Sequence, residues 1–137
     1  MTLVIDASVA FKWFVEEPDS DAAQRILERE PARIAPDLVL LEIANTAWKK
    51  EQRGEISPDH ATAIVESAPR FFTRLVPAAT LLERALGVAR VLGHPVYDCV
   101  YLALAEVEQA RLVTADRRLA GRVAGTRWSR KVRPLVR

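Results

Sequence analysis

Apolar and polar positions along the 137 residues fall into short β-branched blocks separated by longer blocks of helical period. Thr2–Ile5 is a short apolar run that stops at Asp6, and it predicts a buried strand. A helical stretch follows from Ser8 to about Val15. After EEPDSD, a helix capped by Ser20 or Asp21 runs through Glu28. Arg33–Ala35 predicts a second strand, and Pro36 and Asp37 open the strongly patterned helix LVLLEIANTAWKKEQR, closed by Gly54. Ser57 and Pro58 form an N-cap and first-turn pair for a helix to about Ala68, before Pro69. Thr73–Val76 reads as a third strand. Thr80 and Glu83 have capping-box spacing for a helix to Leu92, which Gly93 ends. A helix from about Val96 to Gln109, a strand at Arg111–Thr114, a short helix RRLAGR after Asp116 and a weak fifth strand within Lys131–Val136 complete the pattern. Strands alternating with helices predict a single α/β domain over 1–137, a sandwich around a mostly parallel sheet of four to five strands.

Composition changes this picture little. Half the residues are apolar and 28% are charged, which is ordinary for a globular chain. No uncharged apolar run approaches the roughly 18–20 residues that span a bilayer. MTLVID lacks the basic and apolar regions of a secretion signal, and one cysteine leaves no internal disulfide, so a soluble cytoplasmic protein is expected. Charge is distributed unevenly. Residues 111–137 carry nine Arg or Lys against one acid, a net of +8, whereas residues 1–110 net −6. A basic tail on a mildly acidic body suits phosphates or an acidic partner, and a solvated arginine-rich surface accounts for it equally well.

The candidate chemistry lies in four carboxylates set among apolar residues. Asp6 ends the first predicted strand and Asp116 follows the fourth, and ligands of parallel α/β sheets gather at the carboxyl ends of strands. Asp98 sits in the first turn of the apolar helix VYDCVYLALAE, on the face of Tyr101, Leu102 and Ala105. Glu42 sits one to two turns into its helix, with Leu38 and Asn45 in line at helical spacing. Taken singly, each acid has a structural explanation. Asp6 and Asp116 can cap the helices after them, Asp98 is favoured by a helix dipole, and Glu42 can tilt to solvent. Together they are harder to explain that way, because two carboxylates about 4 Å apart at an effective dielectric near 20 repel by on the order of 4 kcal/mol. Buried carboxylates are normally paired or bound to metal, and oxygen ligands without a His/Cys cluster favour Mg²⁺ or Mn²⁺ over Zn²⁺. That points to metal-assisted phosphodiester hydrolysis, with Ser8 and Thr114, each two residues from an acid, orienting water or forming local cap bonds.

Other chemistries lack their residues. There is no G-x-G-x-x-G after the first strand and no G-x-x-x-x-G-K-[ST]. A haloacid-dehalogenase phosphatase would need a second Asp where Ser8 stands, and a receiver domain would need an acidic pair near the first strand's end. Cys99, His60 and His94 form no supported nucleophile–base pair.

VIDASVAFKW, LLEIANTAWK, YDCVYLALA and LVTADRRLA, in this order and spacing, resemble the PIN-domain nucleases and, within them, the VapC-type toxins of prokaryotic toxin–antitoxin pairs. The resemblance implies a PIN-like three-layer α/β/α sandwich and Mg²⁺- or Mn²⁺-dependent endoribonuclease activity. It implies that Asp6, Glu42, Asp98 and Asp116 are catalytic, metal-binding acids, supported by Ser8, Asn45 and Thr114. It further implies homodimerisation and a cognate VapB-type antitoxin that blocks the site, often with a basic side chain. Charge adds Arg127, Arg130, Lys131 and Arg133 as RNA contacts. Trp13, Trp48 and Trp128 are assigned to packing in preference to base stacking. A non-catalytic RNA- or protein-binding module, and a nuclease acting on DNA flaps or small phosphoesters, are the other classes that an RNA-cleavage assay separates.

Overall fold

The structure, a computed structural model, describes residues 1–136. Its elements in order are β1 (Thr2–Ile5), α1 (Ala7–Ala10), α2 (Ser20–Arg29), β2 (Ala32–Pro36), α3 (Leu38–Gln52), α4 (Pro58–Ser67), β3 (Arg74–Val76), α5 (Leu82–Leu92), α6 (Val96–Val107), β4 (Arg111–Thr114), α7 (Arg117–Val123) and β5 (Val132–Pro134). The five strands form one sheet in the order β3-β2-β1-β4-β5, and every pairing is parallel.

Three consecutive residues of β1, Leu3, Val4 and Ile5, are 0% exposed. Successive strand side chains point to opposite faces, so β1 is covered on both, as a parallel sheet in a three-layer sandwich requires. Helix α6 packs against β1, β2 and β4 and beside α5, while α3 packs against β2, α1 and α4. From Cys99 to Ala105 every residue of α6 is buried, which explains why that helix is apolar all round and not striped.

Local differences from the sequence reading have physical causes. The first helix shortens to Ala7–Ala10 and tightens into a 3₁₀ turn over Phe11–Trp13. That turn stacks Trp13 on Phe71 at 5.9 Å between ring centroids and lets its indole N–H donate to the Ala23 carbonyl at 2.9 Å. The residue before α2 is Asp19, in a left-handed conformation with φ 70°, and its side chain caps nothing. Ser20 Oγ instead accepts from the Glu17 N–H at 2.9 Å. Thr80 does not cap α5 either; its hydroxyl donates to the Pro77 carbonyl within a 3₁₀ turn, Ala78–Leu81, that leads into the helix. Gly93 ends α5 at φ 62°, the left-handed conformation glycine adopts without a side-chain clash.

The strand order decides where a site can form. From β1 the chain builds outward through β2 and β3, then returns to the other side of β1 with β4 and β5. The connections after β1 and β4 therefore diverge, leaving a crevice beyond their carboxyl ends. Ile5 pairs with Val113, so the next residues, Asp6 and Thr114, come together at that edge.

Candidate active site

Asp6 is the floor of the crevice. Its side chain is nearly enclosed, and one oxygen accepts from Ser8 Oγ at 2.6 Å and from the Val9 N–H at 3.1 Å. The other oxygen accepts from the Thr114 hydroxyl. Ser8 Oγ also accepts from the Ala115 N–H at 3.0 Å, and Thr114 Oγ1 accepts from the Asp116 N–H at 2.9 Å. One small network thus ties the ends of β1 and β4 together around a single carboxylate. Burial pushes the Asp6 pKa up to about 6, against the lowering effect of its three hydrogen bonds, and the charge of Asp98 adds to the rise.

Glu42 reaches the same place from α3. It is half-buried, and Tyr101, across on α6, donates its phenolic hydroxyl to Glu42 Oε1. Burial raises the Glu42 pKa, the Tyr101 hydrogen bond opposes the rise, and the Asp98 charge reinforces it. Burial and the neighbouring Glu42 charge hold the Tyr101 hydroxyl well above its ordinary pKa, so it remains a hydrogen-bond donor. Asp98, in the first turn of α6, meets His94 Nε2 at 2.5 Å. Asp116 caps α7, accepting from the Arg118 N–H at 2.9 Å.

All four acids line one cavity of about 480 Å³, together with Ser8, Lys12 and Tyr101. Thr114 lies beneath it, bonded to Asp6. Asn45 is placed elsewhere: it is exposed on α3, and Thr46 lines the cavity in its stead. Helical spacing predicts Asn45 on the face of Glu42; packing turns Thr46, the next residue, to the cavity instead. The basic tail is also placed elsewhere. Arg127 lies over the Trp128 ring at 4.3 Å and 3.9 Å from Glu106, at the opposite end of α6 from Asp98. Neither Arg127, Arg130, Lys131 nor Arg133 lines the acid cavity. Trp128 is core, with its indole N–H donating to Glu106 at 2.9 Å; Trp13 is packed as described, and Trp48 is exposed.

Lys12 was missed in the sequence, although it stands six residues after Asp6 in VIDASVAFKW. Its ammonium donates to the Pro18 carbonyl at 2.8 Å and lies 3.6 Å from Glu17, which Lys50 also approaches. The sequence places Tyr101 on the helix face of Asp98 and gives His94 no role in a nucleophile–base pair. Polar tips on otherwise apolar segments were the available signal for both.

The donor set suits a hard divalent cation. Every acid in the cavity offers oxygen, and neither histidine nor cysteine lines it. Among the described residues, no three such side chains close on a common point. The carboxylates surround an open space, as suits an ion that keeps several waters and takes only one or two carboxylates directly. Burial and the Asp98 charge raise the pKa of both Asp6 and Glu42, a cost that the charge of such an ion offsets.

Strand order and site together define a class, a parallel α/β domain with acids clustered at the carboxyl edge of its sheet. The family model for the PIN domain matches residues 3–125, and the chain belongs to the PIN-domain family. It is 37% identical over 122 residues to Ribonuclease VapC3 of Pyrobaculum aerophilum, covering 88% of this chain and 93% of that protein. It is 30% identical over 118 residues to Ribonuclease VapC9 of Mycobacterium tuberculosis, covering 86% and 88%. A chain of a toxin–antitoxin complex from Klebsiella pneumoniae shares the fold, with a TM-score of 0.72 at 17% identity over 98% of both chains.

Proposed function

We propose that the chain is a Mg²⁺- or Mn²⁺-dependent endoribonuclease, the toxin member of a VapBC-type toxin–antitoxin pair, which hydrolyses RNA phosphodiesters with water as the nucleophile. The observation that carries this reading is Asp6, enclosed, hydrogen-bonded through both oxygens, and sharing one cavity with Glu42, Asp98 and Asp116. The likeness to the two VapC ribonucleases supports it.

Asp6, Glu42, Asp98 and Asp116 are the residues that would hold the cation. When bound, it supplies positive charge to the phosphoryl oxygens and lowers the pKa of water. The chain supplies the rest. Ser8 and Thr114 set the Asp6 carboxylate before any substrate arrives, and Tyr101 does the same for Glu42, so no rotamer has to be found during the reaction. Lys12, anchored by Glu17 and Pro18, places an ammonium in a lining otherwise dominated by carboxylates, where it can meet a phosphate oxygen.

The resemblance also supplies a VapB-type antitoxin that places a basic side chain among the acids, and a homodimer in the cytoplasm. Trp48 on α3 and Val65 on α4 are exposed beside one shallow cavity, apolar surface that such assembly would cover. No helix among the described residues is long and apolar enough to cross a membrane.

The test is cleavage of a mixed cellular RNA pool by the purified protein with Mg²⁺, Mn²⁺ or EDTA, beside Asp98→Asn. Discrete fragments that need the metal and vanish in the folded variant are expected. A folded, antitoxin-free wild-type protein that leaves RNA intact with every metal overturns the reading and favours a binding module.

A further inference from the structure

A second cavity, of about 650 Å³, opens from the acid cavity and shares Asp98 and Asp116 with it. One wall is the turn before α6, at His94. The other is a face of α7 formed by Arg118, Gly121 and Arg122. The two arginines stand four residues apart on a helix and so project from the same side, one turn from each other. Both are exposed. Arg118 has a loose contact with Asp116 at 3.8 Å, and Arg122 forms no ion pair among the described residues.

Gly121 lies between them. A glycine inside a helix weakens it relative to alanine and persists where a backbone needs special dihedrals or something approaches closely. Its φ is not positive, and a side-chain carbon built on it meets no other atom of the chain within 4 Å. Neither backbone geometry nor internal packing therefore calls for glycine here. A missing side chain at this point does leave more room in the cavity that Gly121 lines with Arg118 and Arg122.

We propose that this groove is the subsite for the RNA strand next to the scissile bond, with Arg118 and Arg122 each holding a backbone phosphate. The inference rests on the ribonuclease reading above. A polyanion brought to a cavity of carboxylates is repelled except at the reacting phosphate, so the neighbouring phosphates need cations beyond the rim. The groove begins at two of the acids and is walled by arginines that the fold does not otherwise use. The tail cation Arg127, by contrast, belongs to the far end of α6, and Arg130 lines neither cavity.

The experiment measures kcat and KM for a single-stranded RNA oligonucleotide carrying a wild-type cut site, across a range of KCl concentrations. It compares wild type, the pair Arg118→Glu with Arg122→Glu, the single variant Gly121→Leu, and the pair Arg127→Glu with Arg130→Glu; thermal unfolding is followed for each. For the α7 pair, KM rises at least about tenfold and the log–log salt dependence of kcat/KM becomes shallower by about 1.4, the equivalent of two single-strand phosphates. Gly121→Leu raises KM while its unfolding temperature does not fall, an effect a purely structural glycine would not show. The tail pair behaves as wild type. An unchanged KM and salt slope in the α7 pair, or the loss appearing in the tail pair instead, overturns the inference and leaves the nuclease standing. If wild-type protein cleaves no RNA, the ribonuclease reading fails and this inference with it.

Discussion

Thr114, the last residue of β4, donates its hydroxyl to the carboxylate of Asp6, which lies 108 positions earlier at the end of β1. The bond exists because the parallel register sets the two strand ends side by side, and it fixes the most enclosed acid of the cavity. Thr114→Val keeps the shape and removes the donor. It is expected to destabilise the protein by about 1–3 kcal/mol, the cost of leaving a buried acceptor unmade, and to lower RNA cleavage. Thr114→Ser restores the donor and most of both. Urea unfolding beside a cleavage assay reads the two effects.

Asp6 also makes stability depend on pH in chelator. Its folded pKa is raised from 3.8 to about 6, so between those values the folded protein keeps a proton that the unfolded chain has lost. The group's contribution is therefore most favourable below pH 3.8, declines as pH rises toward 6, and is constant above. The decline amounts to about 3 kcal/mol. The difference in unfolding free energy between wild type and Asp6→Asn, measured in EDTA from pH 4.5 to 7.5, should move in favour of the variant as pH rises. At pH 7.5 in EDTA, Asp6→Asn is expected to be the more stable protein. An equal pH dependence in both would remove Asp6 as the cause.

The same burden predicts the response to metal. A cation that binds the ionised folded site and ignores the unfolded chain stabilises by mass action, about 2.7 kcal/mol at a hundredfold excess over its Kd. Titrating Mn²⁺ at pH 7.5 should raise the wild-type unfolding temperature progressively and leave Asp6→Asn much less changed. Calorimetric titration then gives the stoichiometry.

Tyr101→Phe isolates the hydrogen bond to Glu42. The ring stays packed in a position that is 2% exposed, so the stability change is expected to stay within about 1.5 kcal/mol. The Tyr101 hydrogen bond lowers the Glu42 pKa, so its removal should shift the acid limb of the cleavage–pH profile upward. An unshifted limb with full activity would make Tyr101 a packing residue alone.

Trp128→Ala tests the tail as core. Trp128 is the largest fully buried side chain and carries a hydrogen bond to Glu106, so truncation should cost about 3–5 kcal/mol. Trp48→Ala, at an exposed position, should change monomer stability by no more than about 0.5 kcal/mol. Chemical denaturation of the two variants separates them.

Much of this protein is legible along the chain. The apolar run that stops at Asp6, the capping pair Ser57–Pro58, the closing Gly54 and Gly93, and the strand Arg111–Thr114 are local features, and local sterics and hydrogen bonding decide them. The four acids stand out because each interrupts an apolar setting. What the sequence could not decide are relations between residues far apart in it. Periodicity says that Asn45 and Thr46 lie near Glu42 on a helix, but only packing on β2 and α1 turns Thr46 into the cavity and Asn45 to solvent. Net charge identifies a basic C-terminal segment. Only the sheet order carries Arg127 to the far end of α6 while leaving Arg118 and Arg122 beside Asp98. Burial of apolar area is nearly indifferent to direction, so it reads out as pattern; hydrogen bonds and charges act within a few ångströms, so their partners are known only once the strands have taken their places.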